Sequence, residues 1–335
     1  MRLLFVGGTG NISTACVRLA LAHGHEVGVL NRGKRAPHGP GVEKARSFVA
    51  NIQDEDSVRA ALGDESFDVV LDFIAFTPAD IERDIRLFSG RCGQYVFISS
   101  ASVYQKPRGG VVITESTPLK NPFWEYSRLK IACEERLNRA WREDDFPATI
   151  VRPSLTYDTV IPLSMGSWDD WTMIDRMRRG EPVVVHGDGQ NCWTVTHSDD
   201  FAAGLLGLLG NPLARGHAFH ITSDEVLTWD EIWHQAAEAA GCRADIVHVP
   251  SDFIASMDDF QRGSLLGDKA VSAIFDNSKL KRFVPGYRAR IPWREGIRRT
   301  LAWFQEDAGR MRIVESHNEL HDRILAAWRK TGATT

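Results

Sequence analysis

Val6-Gly7-Gly8-Thr9-Gly10-Asn11-Ile12-Ser13 joins a short apolar run, Leu3–Val6, to a helical pattern from Asn11 to about His23. Glycine lets the chain turn tightly and bring its backbone close to a ligand, while the helix behind it offers free N–H groups and the positive end of its dipole. A glycine triplet alone also makes plain turns. At the first strand–helix junction of an alternating chain, this one points to a dinucleotide pyrophosphate. In the spacing Gly7-x-x-Gly10-x-x-Ser13 the third position carries a serine where glycine is usual. That position serves close helix–strand packing, and serine is small enough to be tolerated.

The alternation continues outward from that turn. Strands are expected at Glu26–Leu30, Arg46–Ala50, Asp68–Asp72, Tyr95–Ser99 and Thr149–Val151, with helices at Asp54–Leu62, Ala79–Phe88 and Glu125–Trp141. Short apolar strands separated by helices imply parallel βαβ units. The fold class is therefore α/β, a Rossmann-type doubly wound parallel sheet, with a smaller, mixed α/β C-terminal substrate domain. After Arg152-Pro153 the regularity breaks, and Trp168–Arg179, Thr228–Ala240, Trp293–Glu306 and Met311–Trp328 read as helices. The expected division is 1–160 for the nucleotide domain (with 195–222 returning to it), 161–310 for the substrate part and 311–335 for a final helix and tail.

Length and composition agree. The 335 residues, 43% hydrophobic and 25% charged, suit one large α/β unit or two closely packed domains. A net charge of −4 argues against a polyanion partner, so no nucleic acid is expected. No apolar run is long enough for a membrane span, and the first apolar run is too short for a signal peptide. Cys16, Cys92, Cys133, Cys192 and Cys242 are scattered and odd in number, which fits a reducing cytoplasm.

The end of the second strand selects the nucleotide. An acidic residue there would bind the ribose 2′-OH of NAD. The chain instead reads Leu30-Asn31-Arg32-Gly33-Lys34-Arg35. A 2′-phosphate wants a cation, and the forked donors of arginine suit it. NADP is favoured over NAD, with Asn31 and Arg32 near the adenosine and Asn51 as an adenine contact. The same basic residues could also be a solvated loop.

Tyr126-Ser127-Arg128-Leu129-Lys130 puts a tyrosine and a lysine four apart, on one helix face. A phenol with a reference pKa of about 10 is a poor base at neutral pH, and a nearby ammonium would lower it. Tuned in this way, Tyr126 could take a proton from a substrate hydroxyl as hydride leaves the carbon, or return it in reverse. The spacing alone is common on exposed helices. Upstream, Phe97-Ile98-Ser99-Ser100-Ala101-Ser102-Val103-Tyr104 ends a strand in hydroxyls, at the strand end where ligands bind in such sheets. From there Ser100 could donate to a developing oxyanion.

With Gly7, Gly10, Ser100, Tyr126 and Lys130 in this order, the sequence resembles the extended short-chain dehydrogenase/reductase family, the NAD-dependent epimerase/dehydratase group. The resemblance covers residues 1–160 and runs more weakly through Gly187-Asp188-Gly189 and Thr196-His197-Ser198-Asp199-Asp200. It implies a tightly held NAD(P) with Gly7, Gly10, Asn11, Ile12 and Ala75 beside it, a Ser/Tyr/Lys site, and a Lys130 that also binds the nicotinamide ribose. It further implies a homodimer through the helices at Ala79–Phe88 and Glu125–Trp141.

Departures from the family pattern narrow the chemistry. Sugar 4,6-dehydratases carry an Asp-Glu pair where this chain has Ala101 and Ser102, so water elimination is not expected. Members that act on nucleotide sugars commonly have Asn near Leu155 and Arg near Trp193 to hold the nucleotide or diphosphate. A free sugar, glycoside or other polyol-like carbonyl compound competes as substrate. Tyr104, Trp124 and Trp193, with Phe76, Gln105 and Glu125, are candidate contacts, and equally candidates for packing.

Four other signals carry less. His317 and His321 are four apart without the glutamate placement of a zinc-protease helix, and read as exposed histidines; no metal is expected. Asp199-Asp200 reads as a helix N-terminus. Arg176, Arg178 and Arg179 read as a solvated face. Asp72 either shapes the cofactor site or ends a strand. The expected function is an epimerase or a dehydrogenase/reductase on a sugar-like hydroxyl or ketone. The alternative is a non-catalytic NAD(P)-binding regulatory, RNA- or protein-binding module, against which the intact Ser/Tyr/Lys set argues.

Overall fold

Seven strands form one all-parallel sheet: β1 (Arg2–Val6), β2 (Glu26–Asn31), β3 (Arg46–Val49), β4 (Phe67–Asp72), β5 (Cys92–Ile98), β6 (Ala148–Pro153) and β7 (Ala218–Ile221). Their order is β7-β6-β5-β4-β1-β2-β3. The computed structural model describes residues 1–34, 41–107, 109–166 and 168–332.

Successive side chains of a strand point to opposite faces, so each apolar run feeds two cores. Leu3, Phe5, Val69, Leu71, Val96 and Ile98 pack under α1 (Asn11–Ala22) and α6 (Ser198–Leu208). Leu4, Val6, Val70, Tyr95 and Phe97 pack under α2 (Glu55–Leu62), α3 (Pro78–Phe88) and α4 (Glu125–Asp144). Covering both faces is why these strands read as continuous apolar runs. Strand order reverses between β1 and β4, and the crevice at their carboxyl ends is where such sheets bind ligands.

A third core lies beyond the sheet. It collects Trp193, Trp229, Trp233 and Trp293, each nearly or fully buried, with α5 (Thr172–Arg178), α7 (Trp229–Ala239), α11 (Trp293–Gln305) and α12 (Glu315–Arg329). Strand Val183–His186 pairs in parallel with Ile246–Val249, and Leu155–Tyr157 with Val195–His197. After Val249 come α8 (Ser251–Met257), α9 (Asp259–Ser264), one turn of π-helix (Leu265–Lys269) and α10 (Ser278–Phe283). Among the described residues no helix is long and apolar enough to cross a membrane. The five cysteines are free thiols.

Two expectations are corrected here. Arg176 is buried, not solvated: its guanidinium donates to the Pro182 carbonyl at 2.8 Å and to Asp322 at 2.5 Å. His321 is also buried, and its Nδ1 accepts the Val184 N–H at 3.0 Å. The reason is common to both. α12 lies against α5 and strand Val183–His186, and turns a face that looks polar in sequence into an interface.

Helix α4 is anchored by a buried ion pair. Arg152 of β6 donates to Glu134 of α4 through Nη2 at 2.6 Å and Nε at 3.0 Å, and Ser99 donates to the same carboxylate at 2.5 Å. Both charges are almost fully buried. Removing one partner leaves the other uncompensated in a medium that solvates it poorly. Glu134→Ala is expected to lower unfolding free energy by about 3–5 kcal/mol in urea denaturation. A loss under about 1 kcal/mol would show that the pair is dispensable.

Candidate active site

The glycine turn has the shape its sequence suggests. Gly7 has φ +84°, and a Cβ there would sit 2.5 Å from Ile74 Cγ2. Its N–H donates to the Leu30 carbonyl at 3.0 Å. Ser13 does more than fit: its hydroxyl donates to the Gly7 carbonyl at 2.7 Å and accepts the Gly10 N–H at 2.9 Å, stitching the loop closed. Asn11 ties the loop to strand Leu155–Tyr157 and the turn after it, donating to the Thr156 carbonyl at 3.1 Å and accepting the Thr159 N–H at 3.2 Å. Gly7, Gly10, Asn11, Ile12 and Ser13 wall one end of a cavity of 1040 Å³. A Cβ at Gly10 would meet nothing nearer than 3.4 Å, so the loop leaves open space at the α1 N-terminus. Backbone donors and a dipole end facing open space fit a nucleotide pyrophosphate.

Ser100, Tyr126 and Lys130 line the same cavity. Ser100 caps a 3-10 turn, Ala101–Val103, its Oγ accepting the Ser102 N–H at 3.2 Å. Its hydroxyl continues through Ser102 at 2.9 Å to Ser127 at 2.7 Å. This chain of hydroxyls roots Ser100 in α4. Lys130 is buried, and its ammonium donates to the carbonyls of Ala75 at 2.7 Å and Ile98 at 2.8 Å. It lies 4.5 Å from the Phe76 ring centroid and 5.9 Å from that of Tyr126. Asp72 shapes this corner. Its Oδ1 accepts the N–H groups of Ile74 at 2.6 Å and Ala75 at 2.8 Å, and so fixes the loop that presents the Ala75 carbonyl.

The electrostatics differ from the expected tuning. Burial pushes the Tyr126 phenol up to about 12, with a hydrogen bond from Ser100 pulling the other way. Burial also lowers Lys130 to about 8, opposed by the fields of Cys133 and Asp72. The ammonium is turned to two backbone carbonyls and does not acidify the phenol here.

The cavity gathers Gly7, Gly10, Asn11, Ile12, Ser100, Trp124, Tyr126 and Lys130, as well as Phe76 and Leu155. Eight candidates are not among its walls, Gln105 and Glu125 with them. Ala75 is buried and contributes its carbonyl to Lys130. Asn31 caps its own turn, Oδ1 accepting the Gly33 N–H at 2.8 Å. Arg32 and Asn51 are exposed beyond the ends of β2 and β3, and Arg35 lies outside the described residues. Two substrate candidates are corrected. Tyr104 is fully buried, its hydroxyl 3.0 Å from His220 Nδ1. Trp193 is buried with its ring 5.4 Å from that of Trp229. Apolar surface drew both into cores where no substrate reaches.

One wall of the cavity was missed in sequence. Ser164, Trp168, Asp258, Gln261, Ser264 and Lys269 line it, joined by His317, Glu319 and Arg323 of α12. His317 Nδ1 lies 2.9 Å from Asp170, so this histidine is part of the cavity wall and not an exposed one. The segments carrying these residues have no motif; only folding brings them to the cavity that Tyr126 lines.

Residues 3–222 match the model of the NAD dependent epimerase/dehydratase family, and the chain belongs to that family. It is an NAD(P)-dependent oxidoreductase or epimerase of the extended short-chain dehydrogenase type. It is 29% identical over 291 residues to 2'-dehydrokanamycin reductase of Streptomyces kanamyceticus, covering 87% of this chain and 81% of that one. It is 27% identical over 266 residues to the chloroplast stem-loop binding protein of 41 kDa b of Arabidopsis thaliana, covering 75% of this chain and 67% of that one. Among solved structures, the fold matches epimerase Mth375 of Methanothermobacter thermautotrophicus with TM-score 0.75 at 17% identity, covering 92% and 94% of the two chains. It also matches UDP-glucose 4-epimerase of Thermus thermophilus in complex with NAD, with TM-score 0.69 at 21% identity, covering 91% and 99%.

The lowered Lys130 has a signature in stability. Between about 8 and its ordinary 10.5 the unfolded chain binds more protons than the folded one, so this group makes stability rise with pH across that window. Below the window its penalty is present in full. Lys130→Met lacks the contribution, so wild-type stability measured by urea denaturation should climb relative to the variant from pH 8 to 10.5. A pH-independent difference would contradict the buried-ammonium assignment.

Proposed function

We propose that this protein is an NADP(H)-dependent oxidoreductase that interconverts a ketone and a hydroxyl on a sugar ring, acting on a free sugar or glycoside. The observation that carries the reading is the convergence of Ser100, Tyr126 and Lys130 with the glycine turn on one cavity. The nicotinamide nucleotide, when bound, supplies or receives the hydride. Tyr126 handles the proton. With its phenol raised to about 12, it is protonated at neutral pH and suited to donate to the oxygen of a carbonyl being reduced. The oxidative direction runs from the phenolate that this donation leaves, whose oxygen takes the hydroxyl proton. Ser100 donates to the substrate oxygen as negative charge grows there. Lys130 has three donors and gives two to backbone carbonyls, which leaves one for a ribose hydroxyl.

Similarity to 2'-dehydrokanamycin reductase supports a glycoside and net reduction. Ala101 and Ser102 offer no carboxyl group for water elimination, which speaks against 4,6-dehydration. Leu155 offers a hydrocarbon wall at the position where an amide would meet a nucleotide sugar. Arg32, exposed past β2, supports NADP over NAD. The family pattern supports a homodimer through α3 and α4.

Keto-glycosides, including oxidised kanamycin, should consume NADPH in an absorbance assay, whereas UDP-glucose should yield no epimer on product analysis. Tyr126→Phe is expected to lose about 10²–10⁴-fold in turnover while nucleotide affinity is kept. Near-normal turnover would remove Tyr126 from the chemistry. Arg32→Ala should weaken NADPH about tenfold and leave NADH unchanged, since one charge-assisted contact to a 2′-phosphate is lost. An equal effect on both nucleotides would refute the NADP preference.

A further inference from the structure

The α9–π-helix segment, which Asn121 joins to Ser102 by donating to the carbonyls of Ser102 at 2.9 Å and Gly267 at 2.7 Å, contributes an acceptor and a donor to the cavity. Gln261 is 4% exposed, lines the cavity, and its Oε1 is buried without a hydrogen-bond partner. A buried amide oxygen left unsatisfied is costly and uncommon. Lys269 is also 4% exposed and lines the same space. Its ammonium donates to Ser264 Oγ at 2.7 Å and stands 5.8 Å from the ring centroids of both Trp124 and Trp168. Ser264 takes one of its three donors.

The backbone is bent to place that lysine. In an α-helix, residues five apart point about 140° away from each other. Here the π turn, closed by the Ala270 N–H on the Leu265 carbonyl at 2.8 Å, swings Lys269 back over Ser264. Single π turns inside helices are frequent at functional sites. The segment is also keyed to the catalytic helix. Trp124 packs so tightly on it that a Cβ at Gly263 or Gly267 would stand 2.6 or 2.7 Å from Trp124 atoms. The Trp124 ring lies 5.1 Å from that of Tyr126. Lys269 and Gln261 are thus held in fixed register with the phenol.

We propose that Gln261 and Lys269 form a substrate subsite that grips two neighbouring polar groups of a sugar ring, and so decide which ring carbon faces Tyr126. Gln261 Oε1 accepts from a ring hydroxyl or amine. Lys269 donates to the oxygen of the adjacent hydroxyl. Trp124 and Trp168 cover the C–H face between them. This deepens the glycoside reading above and rests on it. Both are positioning residues, since the proton and hydride move elsewhere.

The test is titration of kanamycin and of methyl α-glucoside into NADP⁺-loaded wild type, Lys269→Met and Gln261→Met, with thermal melts of each. Wild type should bind at least one probe. Each variant should bind it about 10- to 100-fold more weakly, with NADP⁺ affinity unchanged. Lys269→Met should also melt at the same or a higher temperature, because a thioether replaces a buried ammonium. Falling affinity with held or rising stability separates a binding role from a structural one. Gln261→Met, which adds no charge and little volume change, serves should Lys269→Met misfold. Variants that bind like wild type would remove the subsite and leave the glycoside reading standing. Wild type that binds NADP⁺ but neither probe would remove both.

Discussion

The active site depends on how α4 is held against the carboxyl edge of the sheet. Glu134 of α4 meets Arg152 of β6 in a two-point contact that Ser99 completes from the end of β5. One turn before Glu134, Lys130 spans to the Ile98 carbonyl of β5 and to Ala75 beyond β4. These polar contacts are directional, unlike the apolar packing of Cys133 and Leu137 on the same helix. Packing permits a helix to slide or roll; a buried forked ion pair does not. The positions of Tyr126 and of the hydroxyl chain through Ser127 follow from that restraint.

Holding the site in this way raises its electrostatic tension. A phenol pushed up and an ammonium pushed down both resist ionisation where they are buried. Each is poised toward its neutral form, and a bound nucleotide and substrate with their own dipoles and charge would shift that balance. The site is therefore preorganised in geometry, while its protonation is left to respond to what binds. Asp72 belongs to the same design: fully buried, it orders the loop that supplies one of the lysine's acceptors.

The two ends of the cavity have different origins. The sheet end is built from strand ends and helix starts, which the topology brings together at the reversal of strand order. The other end is built from α9, the π turn and α12, which come from distant parts of the chain. General nucleotide chemistry belongs to the first. On the proposed reading, selection of a substrate belongs to the second, where the Gln261 amide oxygen is left without a partner.

Much of this was legible in the residues alone. Period-two and period-3.6 patterns are local, and so the seven parallel strands' early members, α1 through α4, and the Gly7–Gly10 turn could be read within a few positions. The Tyr126/Lys130 pair and Ser100 were legible because helix spacing and a strand end are also local facts. Other features were decided only by the tertiary structure. Tyr104 and Trp193 are aromatic in either role, and only packing sends them to a core. Arg176 and His321 look polar until α12 covers them. Gln261 and Lys269 become neighbours of one cavity only through an i→i+5 turn and the approach of Trp124 to Gly263 and Gly267. The sequence determined the elements and the candidate reactive groups, because those follow from short-range sterics and spacing. Which surfaces are buried, and which groups face Tyr126, are sums over long-range contacts that no short stretch of the chain contains.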